Sequence, residues 1–429
     1  MSDAAADVPR PARKLAAGAR LRILVYAGAI VVALNLVTPS SGFHIIPFSF
    51  ILKNRLHLTA NQLATFALWA GIPVYLSFVF GIVRDRWSPF GLGDRGYFIL
   101  FGLASAAVFA VAAFLPVSLA MMLAVSLSGT VCFLFLWGGW NGLGSVIGQR
   151  YAMSGQISAL WNFAGTLTIF VALLCGGVLS ERLEAESTAG AVHILFLIVA
   201  VVMALIAALG LWRPAAIYAH LEDAPAPRRD LFADLGRLLR HGPIYPALLC
   251  WLLWNFSPGG ATVLQYYLTN TLHASDAQWG AYNAIAYVAA VPAYVLFGYL
   301  SPRLPLRRLL WLGAVLAVPQ MTPLLLVHSA GAALWAAVGV GVSGGMATAA
   351  YLDLLIRSCP KGLEGTMMML AWSMFGLAVN VGNLLGTDLY DHHGGFAVCI
   401  AATTAVYAMI LPVLLLVPRH LTASADGAA

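Results

Sequence analysis

Long apolar runs separated by short polar segments make up most of the chain. Each run is about 20 residues long, the length that a helix needs to cross a hydrocarbon core of about 30 Å. The pattern predicts twelve membrane-spanning helices, which we call spans 1 to 12. Their predicted positions are 22–51, 62–83, 96–115, 120–148, 155–180, 191–212, 244–271, 277–300, 308–327, 331–356, 365–387 and 395–417.

The longest polar segment between two spans divides the spans into two groups of six. The predicted organisation is a tail at 1–21, a six-helix bundle at 22–212, a linker at 213–243, a second six-helix bundle at 244–418 and a tail at 419–429. The composition agrees, because 61% of the 429 residues are hydrophobic and 9% are charged, whereas soluble domains carry about 25% charged residues. The sequence therefore predicts an all-helical integral membrane protein.

The two groups of spans resemble each other in sequence. Leu52–Gln62 matches Leu268–Gln278, and both follow an apolar run that contains proline. Phe80–Arg86 aligns with Phe297–Arg303 at nearly the same offset. In secondary transporters built from internal repeats, the binding site lies near the bilayer midplane where the repeats meet. We therefore expect two pseudo-symmetric bundles with a site between them.

Basic residues lie mainly on one side of the predicted spans. If the N-terminus is cytoplasmic, only Lys53, Arg55 and Arg182 fall on the opposite side. Cytoplasmic loops retain Lys and Arg, so the bias predicts that both termini are cytoplasmic. It also accounts for the net charge of +6, and we expect no nucleic-acid partner. Nearly all basic residues are arginine, which favours a bacterial source and hence the bacterial inner membrane.

Polar side chains are unevenly distributed among the spans. Spans 3, 6, 9 and 12 contain almost none apart from Gln320. A polar group in the membrane is costly and usually faces a cavity or a partner, so these four spans are predicted to face lipid and the others to surround a cavity. The candidate substrate-binding residues are Asn35, His44, Asn141, Trp161, Asn162, Asn255, Gln265, Tyr266, Asn283, Asn380 and Asn383.

Spans 1 and 7 carry polar residues near the predicted bilayer centre. These are Asn35 in span 1 and Asn255 in span 7, which continues with Pro258, Gly259 and Gly260. Proline and glycine free backbone groups that are tolerated at this depth only within protein or beside a cavity. We expect both helices to bend there and to offer hydrogen-bonding groups to a substrate. The alternative is that the asparagines join neighbouring helices.

Tryptophans are frequent in the cavity spans, including Trp137, Trp140, Trp161, Trp254 and Trp372. Flat apolar faces with polar edges favour a ring-containing ligand. Helix packing and interfacial belts use the same residues, so the tryptophans alone do not define the substrate.

Asp353 is a carboxylate inside a predicted span and a candidate proton-coupling group, because burial favours the neutral form of a carboxylate. Arg357 follows four residues later, and an ion pair at the helix end is the alternative. His44 could titrate near neutral pH or serve as a structural hydrogen-bonding residue.

No metal, cofactor or nucleotide site is predicted. The five cysteines lie singly within apolar runs, without the close spacing of metal or redox sites. Asp391, His392 and His393 have no partner at ligand spacing, and we expect them in a solvated loop. The chain lacks the G-x-x-x-x-G-K-[ST] loop of nucleotide-driven pumps.

The loop after span 2 carries Gly81, Asp85 and Arg86, followed by Asp94 and Arg95. This spacing resembles the cytoplasmic loop signature of the major facilitator superfamily, in which every third helix is also peripheral. The resemblance implies two six-helix bundles that rock about a central cavity, with Gly81, Asp85, Arg86 and Arg95 in gating roles. The alternative is that these charges only anchor the loop in water.

Four stretches resemble the folate-biopterin transporter family of that superfamily. They are Asp353–Thr366, Asn380–Gly386, Tyr266–Asn270 and Asp85–Tyr97. The chain departs from the family between spans 2 and 3, where the usual basic cluster is reduced to Arg95. The resemblance implies a small organic substrate such as a pteridine or folate, protons as the coupling ion, and a monomer in the bilayer.

Other functions remain alternatives at this point. A permease or exporter for a sugar derivative, a muropeptide or a drug would share the fold. An integral-membrane enzyme needs clustered histidines or carboxylates at a membrane face, whereas the carboxylates here are scattered. A sensor would bind a ligand and move none.

Overall fold

The computed structural model describes residues 17–58, 60–185, 189–218, 231–274 and 276–426, where the regular secondary structure is helical. Seven spans are uninterrupted helices. They are Asp94–Ala112 (span 3), Leu119–Arg150 (span 4), Ser154–Ala185 (span 5), Ala189–Leu211 (span 6), Asp276–Leu300 (span 8), Ala330–Ser358 (span 10) and Glu364–His392 (span 11).

The other spans consist of consecutive shorter helices. They are Ala17–Leu36, Ile45–Phe50 and Ile51–Arg55 (span 1), Ala60–Tyr75 and Ser77–Arg86 (span 2), Ile244–Asn255, Ala261–Tyr266 and Tyr267–Thr271 (span 7), Leu306–Ala317 and Thr322–Leu326 (span 9), and Gly395–Ala408 and Ile410–Leu416 (span 12). Short helices Pro89–Gly91, Ala215–Tyr218, Leu231–Arg240 and Arg419–Thr422 lie outside the spans. In the described part of the chain, ten helical stretches are long and apolar enough to cross a membrane. The predicted all-helical fold is confirmed.

Spans 1 and 7 are interrupted at equivalent places, where the sequence predicts bends. Span 1 breaks at residues 37–44 and span 7 at 256–260, and each span ends in a π-helical turn. His57 and His273, which match in the sequence repeat, follow these turns with positive φ angles of 51° and 53°. Because few non-glycine residues adopt a positive φ, this shared geometry supports the internal repeat.

Spans 3, 6, 9 and 12 present large apolar side chains at the surface. Val201 in span 6 is 59% exposed, Val315 in span 9 is 58% exposed and Leu416 in span 12 is 70% exposed. Extended apolar surface of this kind is typical of membrane contact. Spans 10 and 11 also carry exposed apolar side chains, such as Trp335 at 81% and Leu384 at 72%, so the assignment of these four spans to the lipid stays a prediction.

The two bundles meet at the end that carries the start of span 1 and the described C-terminal tail, which we call the terminal end. Near the start of span 1, Arg20 Nε donates to Gln156 Oε1 of span 5 at 2.7 Å. At the end of span 10, Arg357 Nη1 donates to the Ser424 carbonyl of the C-terminal tail at 2.9 Å. Span 2 packs against span 11, and span 5 packs against spans 8 and 10. The C-terminal tail therefore forms part of the folded terminal end.

Candidate functional site

Asp85 joins the two bundles at the start of span 11. Its Oδ1 accepts from the Gly365 amide at 3.0 Å, and its Oδ2 accepts from the Thr366 amide and hydroxyl, each at 2.6 Å. The first amides of a helix have no partner within the helix, and a carboxylate there also interacts favourably with the helix dipole. We call Asp85, Gly365 and Thr366 the first clasp.

Gly81 allows spans 2 and 11 to approach closely beneath the first clasp. A Cβ atom at this position would lie 2.5 Å from the Gly365 carbonyl oxygen and 2.8 Å from the Thr366 Cα. Both neighbours are backbone atoms, so a larger side chain would separate the helices.

Arg84 organises the charges around the first clasp, and the sequence analysis did not single it out. Its Nε and Nη2 donate to the two oxygens of Asp94 at 2.6 and 2.7 Å, and its Nη1 donates to Asp85 Oδ1 at 2.8 Å. Glu364 Oε2 lies 4.0 Å from Nη1. Arg84 therefore holds Asp85 in position and offsets the charge of neighbouring carboxylates.

Arg86 and Arg95, also predicted to act in gating, contact the linker and span 6. Arg86 Nη2 lies 3.3 Å from Asp234 Oδ2 in the linker helix Leu231–Arg240. Arg95 donates to the carbonyls of Gly210 and Leu211 at the end of span 6, at 3.0 and 3.2 Å. Of the four predicted gating residues, Gly81 and Asp85 form the observed contact with the second bundle.

A second set of contacts joins the bundles between spans 4, 5 and 10. Gln149 Nε2 donates to the carbonyls of Ile356 and Cys359 at 2.7 and 2.8 Å. Ser158 Oγ donates to the Ala349 carbonyl at 2.6 Å. These bonds close the terminal end beside the first clasp.

Asp353 forms the predicted ion pair with Arg357. Its side chain is fully buried, and its two oxygens accept from Arg357 Nε at 2.8 Å and from Nη2 at 3.3 Å. The proton-coupling role of Asp353 stays a prediction. The pair places a charged group in the closed terminal end, one turn from the end of span 10.

Five predicted asparagines share one hydrogen-bond geometry. Each Nδ2 donates to the carbonyl four residues earlier in its own helix: Asn35 to Val31 (2.8 Å), Asn141 to Trp137 (2.7 Å), Asn162 to Ser158 (2.9 Å), Asn255 to Trp251 (2.7 Å) and Asn283 to Trp279 (2.9 Å). These bonds do not join neighbouring helices, which was the alternative considered for Asn35 and Asn255. The amide oxygen and the second N–H of each side chain are then the groups that it can offer to a ligand.

Aromatic residues from both bundles meet near the closed end, and we call Trp137, Trp140, Trp161 and Trp372 the aromatic cluster. The Trp137 ring of span 4 lies 5.5 Å from Trp161 of span 5 and 5.4 Å from Trp372 of span 11, between ring centroids. Trp140 lies 5.4 Å from Trp161. No described group accepts from the buried Nε1 atoms of Trp137 and Trp140. Buried indole N–H groups usually have an acceptor, so a ligand could supply one here.

The remaining predicted residues lie apart from the aromatic cluster. His44 is buried against Phe48 and Phe109, with ring centroids 5.0 and 6.3 Å away. Gln265, Tyr266 and Asn380 are exposed, and Asn383 is half-buried. The sequence analysis predicted the aromatic and asparagine positions, but their spacing did not show which of them meet.

The histidines of the predicted outer loop are exposed. His392 and His393 Nδ1 lie 3.2 and 3.7 Å from the Asp388 carboxylate. Among the described residues, no group of three or more His, Cys, Asp or Glu side chains could hold a metal ion.

Residues 152–383 match the family model of the Major Facilitator Superfamily. This match covers more than half of the chain. The chain belongs to the Major Facilitator Superfamily. It is therefore an integral membrane transporter of a superfamily whose members bind small-molecule substrates within the membrane.

The chain is similar to the folate-biopterin transporter of Synechocystis sp., with 25% identity over 373 residues, covering 80% of this chain and 71% of that protein. Solved structures share the fold. The transporter FucP in the outward conformation matches with a TM-score of 0.66 and 14% identity over 93% of this chain and 99% of that chain. The proton:xylose symporter XylE matches with a TM-score of 0.66 and 12% identity over 95% of this chain and 98% of that chain.

Proposed function

We propose that this transporter moves a small organic solute by alternating access and leaves it chemically unchanged. In this proposal the terminal end faces the cytoplasm of a bacterial inner membrane, and the described state is closed on that side. The first clasp and the Gln149 bonds support this assignment, because both join the two bundles at the terminal end. Opening toward the cytoplasm would require these contacts to break, as in rigid-body movement between domains.

The aromatic cluster is the main evidence for the proposed substrate class. Trp137, Trp161 and Trp372 come from both bundles, so a ligand bound against them would contact both during the transport cycle. A planar ring can stack on the indole faces, and its nitrogen or carbonyl acceptors can pair with the buried N–H groups of Trp137 and Trp140. A pteridine has both properties. The similarity to a folate-biopterin transporter supports the same substrate class.

Asp353 is the proposed proton-coupling residue of a monomeric transporter. It is buried and paired with Arg357 beside a contact between bundles, so a change in its protonation would alter the charge of the closed terminal end. The test is substrate flux through the Asp353→Asn variant with and without a pH gradient. If this flux still responds fully to the gradient, Asp353 is not the coupling residue.

Thermal unfolding of the detergent-purified protein tests the substrate class. The panel contains pteridines, folates, sugars, nucleosides, muropeptides and amphiphilic drugs at two pH values. A ligand at about 100 times its Kd adds about 2.7 kcal/mol to the stability of the folded state, so selective stabilisation by pteridines is expected. Selective stabilisation by sugars or muropeptides would instead support a permease for that solute.

A further inference from the structure

The C-terminal tail places a carboxylate at the start of span 5. Asp426 Oδ2 accepts from the Gln156 amide at 3.0 Å, and Oδ1 lies 3.3 Å from the Ser154 hydroxyl that donates to it. Arg357 Nη2 donates to Oδ1 at 2.8 Å, and the Asp426 amide donates to the Ser301 carbonyl at 2.9 Å. The Asp426 side chain is 1% exposed. The tail therefore connects both bundles.

This arrangement corresponds to the first clasp in the other half of the repeat. Span 5 begins Ser154-Gly155-Gln156 and span 11 begins Glu364-Gly365-Thr366. A Cβ on Gly155 would lie 2.5 Å from the Ser301 Cβ, so these segments also approach closely. In the repeat, Asp85 aligns with Pro302, which cannot supply a carboxylate. Asp426 occupies the place of the missing acidic side chain.

We propose that Asp426, with Ser154, Gln156, Ser301 and Arg357, forms a second clasp, and that the C-terminal tail must leave span 5 before the terminal end can open. The inference deepens the proposed alternating access and rests on it. Each clasp joins the two bundles through a backbone amide at the start of a helix. If one clasp is released, the other still holds the two bundles together at the terminal end.

The charges around Asp426 make the second clasp sensitive to pH. Asp353 and Asp426 share the single guanidinium of Arg357, and the Ser154 and Gln156 groups from span 5 are uncharged. Burial, and then the nearby Asp353 carboxylate, raise the pKa of Asp426 to about 7, while Arg357 acts in the opposite direction. Besides Arg357, the basic residues that line the adjoining cavity of about 740 Å³ come from the linker, the loop after span 10 and the tail: Arg237, Arg240, His241, Lys361 and His420.

The direction of the pH effect follows from the two states of the tail. In a released tail, Asp426 has its ordinary pKa of 3.8, whereas in the closed clasp its pKa is about 7. The protonated form therefore favours the closed clasp. Stability of the closed clasp is fully present below about pH 4 and is lost progressively as the pH rises to about 7. An acidic cytoplasm would hold the terminal end closed.

Cys359 provides a reporter for opening of the terminal end. It is 5% exposed, and its carbonyl accepts from Gln149 across the contact between the bundles. The four other cysteines, Cys132, Cys175, Cys250 and Cys399, are replaced by alanine, and alkylation of Cys359 by a maleimide is timed in detergent. The assay needs no substrate, so its failure would count against the second clasp and leave the substrate proposal to the ligand panel.

Asp426→Ala removes the side chain that accepts from Ser154, Gln156 and Arg357, and we expect Cys359 to be alkylated roughly tenfold faster or more, because these hydrogen bonds are lost. Asp388→Ala is the matched control, since Asp388 is 56% exposed at the opposite end of span 11, and its rate should equal that of the parent. Asp426→Ala that folds and leaves Cys359 as protected as in the parent would overturn the proposal.

Asp426→Asn gives a second readout with a side chain that stays neutral. Between about pH 5 and about pH 8, alkylation of the parent should accelerate more than alkylation of Asp426→Asn, and the ratio of the two rates cancels ionisation of the thiol itself. A constant ratio across this range would show that Asp426 does not control the clasp.

Discussion

Single residues determine how closely the two bundles approach at the terminal end. Gly81 leaves no room for a side chain against the Gly365 carbonyl, and Asp85 accepts three hydrogen bonds from Gly365 and Thr366. Both were predicted from the spacing of the loop signature. Arg84 was not predicted, because the sequence alone does not indicate which of several neighbouring charged residues faces the other bundle.

We predict that Gly81→Ala lowers the stability of the closed state by about 1–3 kcal/mol, the usual cost of overpacking. The expected result is a lower thermal midpoint in detergent. Gly71→Ala in the same span is the matched control, because a Cβ there meets no atom within 4 Å, and its midpoint should be unchanged or slightly higher. Equal midpoints for the two variants would contradict the close approach of spans 2 and 11.

Trp137→Phe tests the aromatic cluster, because it keeps an aromatic ring and removes the buried N–H. We expect the Kd of the stabilising pteridine to rise roughly threefold to tenfold, the effect of losing one hydrogen bond. The measurement is isothermal titration of the purified protein. Trp335→Phe is the control, since Trp335 is 81% exposed. An unchanged Kd for Trp137→Phe would place the ligand elsewhere.

At the scale of elements, the break in span 7 forms a hydrogen bond with span 12. The Gly259 amide donates to Thr403 Oγ1 at 2.7 Å, and both groups are buried. This bond replaces a helical hydrogen bond at residues 256–260, where Pro258 interrupts the helix. The sequence predicted the break from proline and two glycines, but it gave no indication that span 12 would supply the partner.

We predict that Thr403→Val destabilises the protein by about 1–3 kcal/mol, because the buried Gly259 amide loses its acceptor. Thr404→Val is the matched control: Thr404 Oγ1 donates to the Ile400 carbonyl of its own helix at 2.9 Å, so its loss leaves no other donor unpaired. The difference in thermal midpoint between the two variants measures how much the Gly259–Thr403 hydrogen bond stabilises the protein. No difference would mean that the break needs no support from Thr403.

Sequence periodicity located the spans because each must present a continuous apolar surface about 20 residues long. It could not give the partners of polar side chains inside them. Asn35 and Asn255 were expected to face a substrate or a neighbouring helix, and their contact with a substrate stays a prediction. The sequence did not show that one N–H of each amide bonds to its own helix. Asp426 stands in a tail of small residues with no recognisable pattern, so its contact with span 5 depends entirely on how the two bundles meet.

At the scale of the whole molecule, the described contacts connect two related bundles at one end. The first clasp, the Gln149 bonds and the proposed second clasp all lie at the terminal end, and the aromatic cluster lies where spans 4, 5 and 11 meet. In the proposed orientation, a solute bound against these rings would reach the cytoplasm when the terminal end opens. The repeat accounts for the similar geometry of the two clasps, since equivalent helix starts present equivalent free amides.

Flux through proteoliposomes tests this account most directly. The purified protein is reconstituted into sealed vesicles, and movement of a labelled pteridine is followed with and without a pH gradient. The account predicts a protein-dependent flux that the gradient accelerates and that Trp137→Phe reduces, with Trp335→Phe behaving as the parent. A flux no faster than in protein-free vesicles, although the protein binds the pteridine, would contradict it.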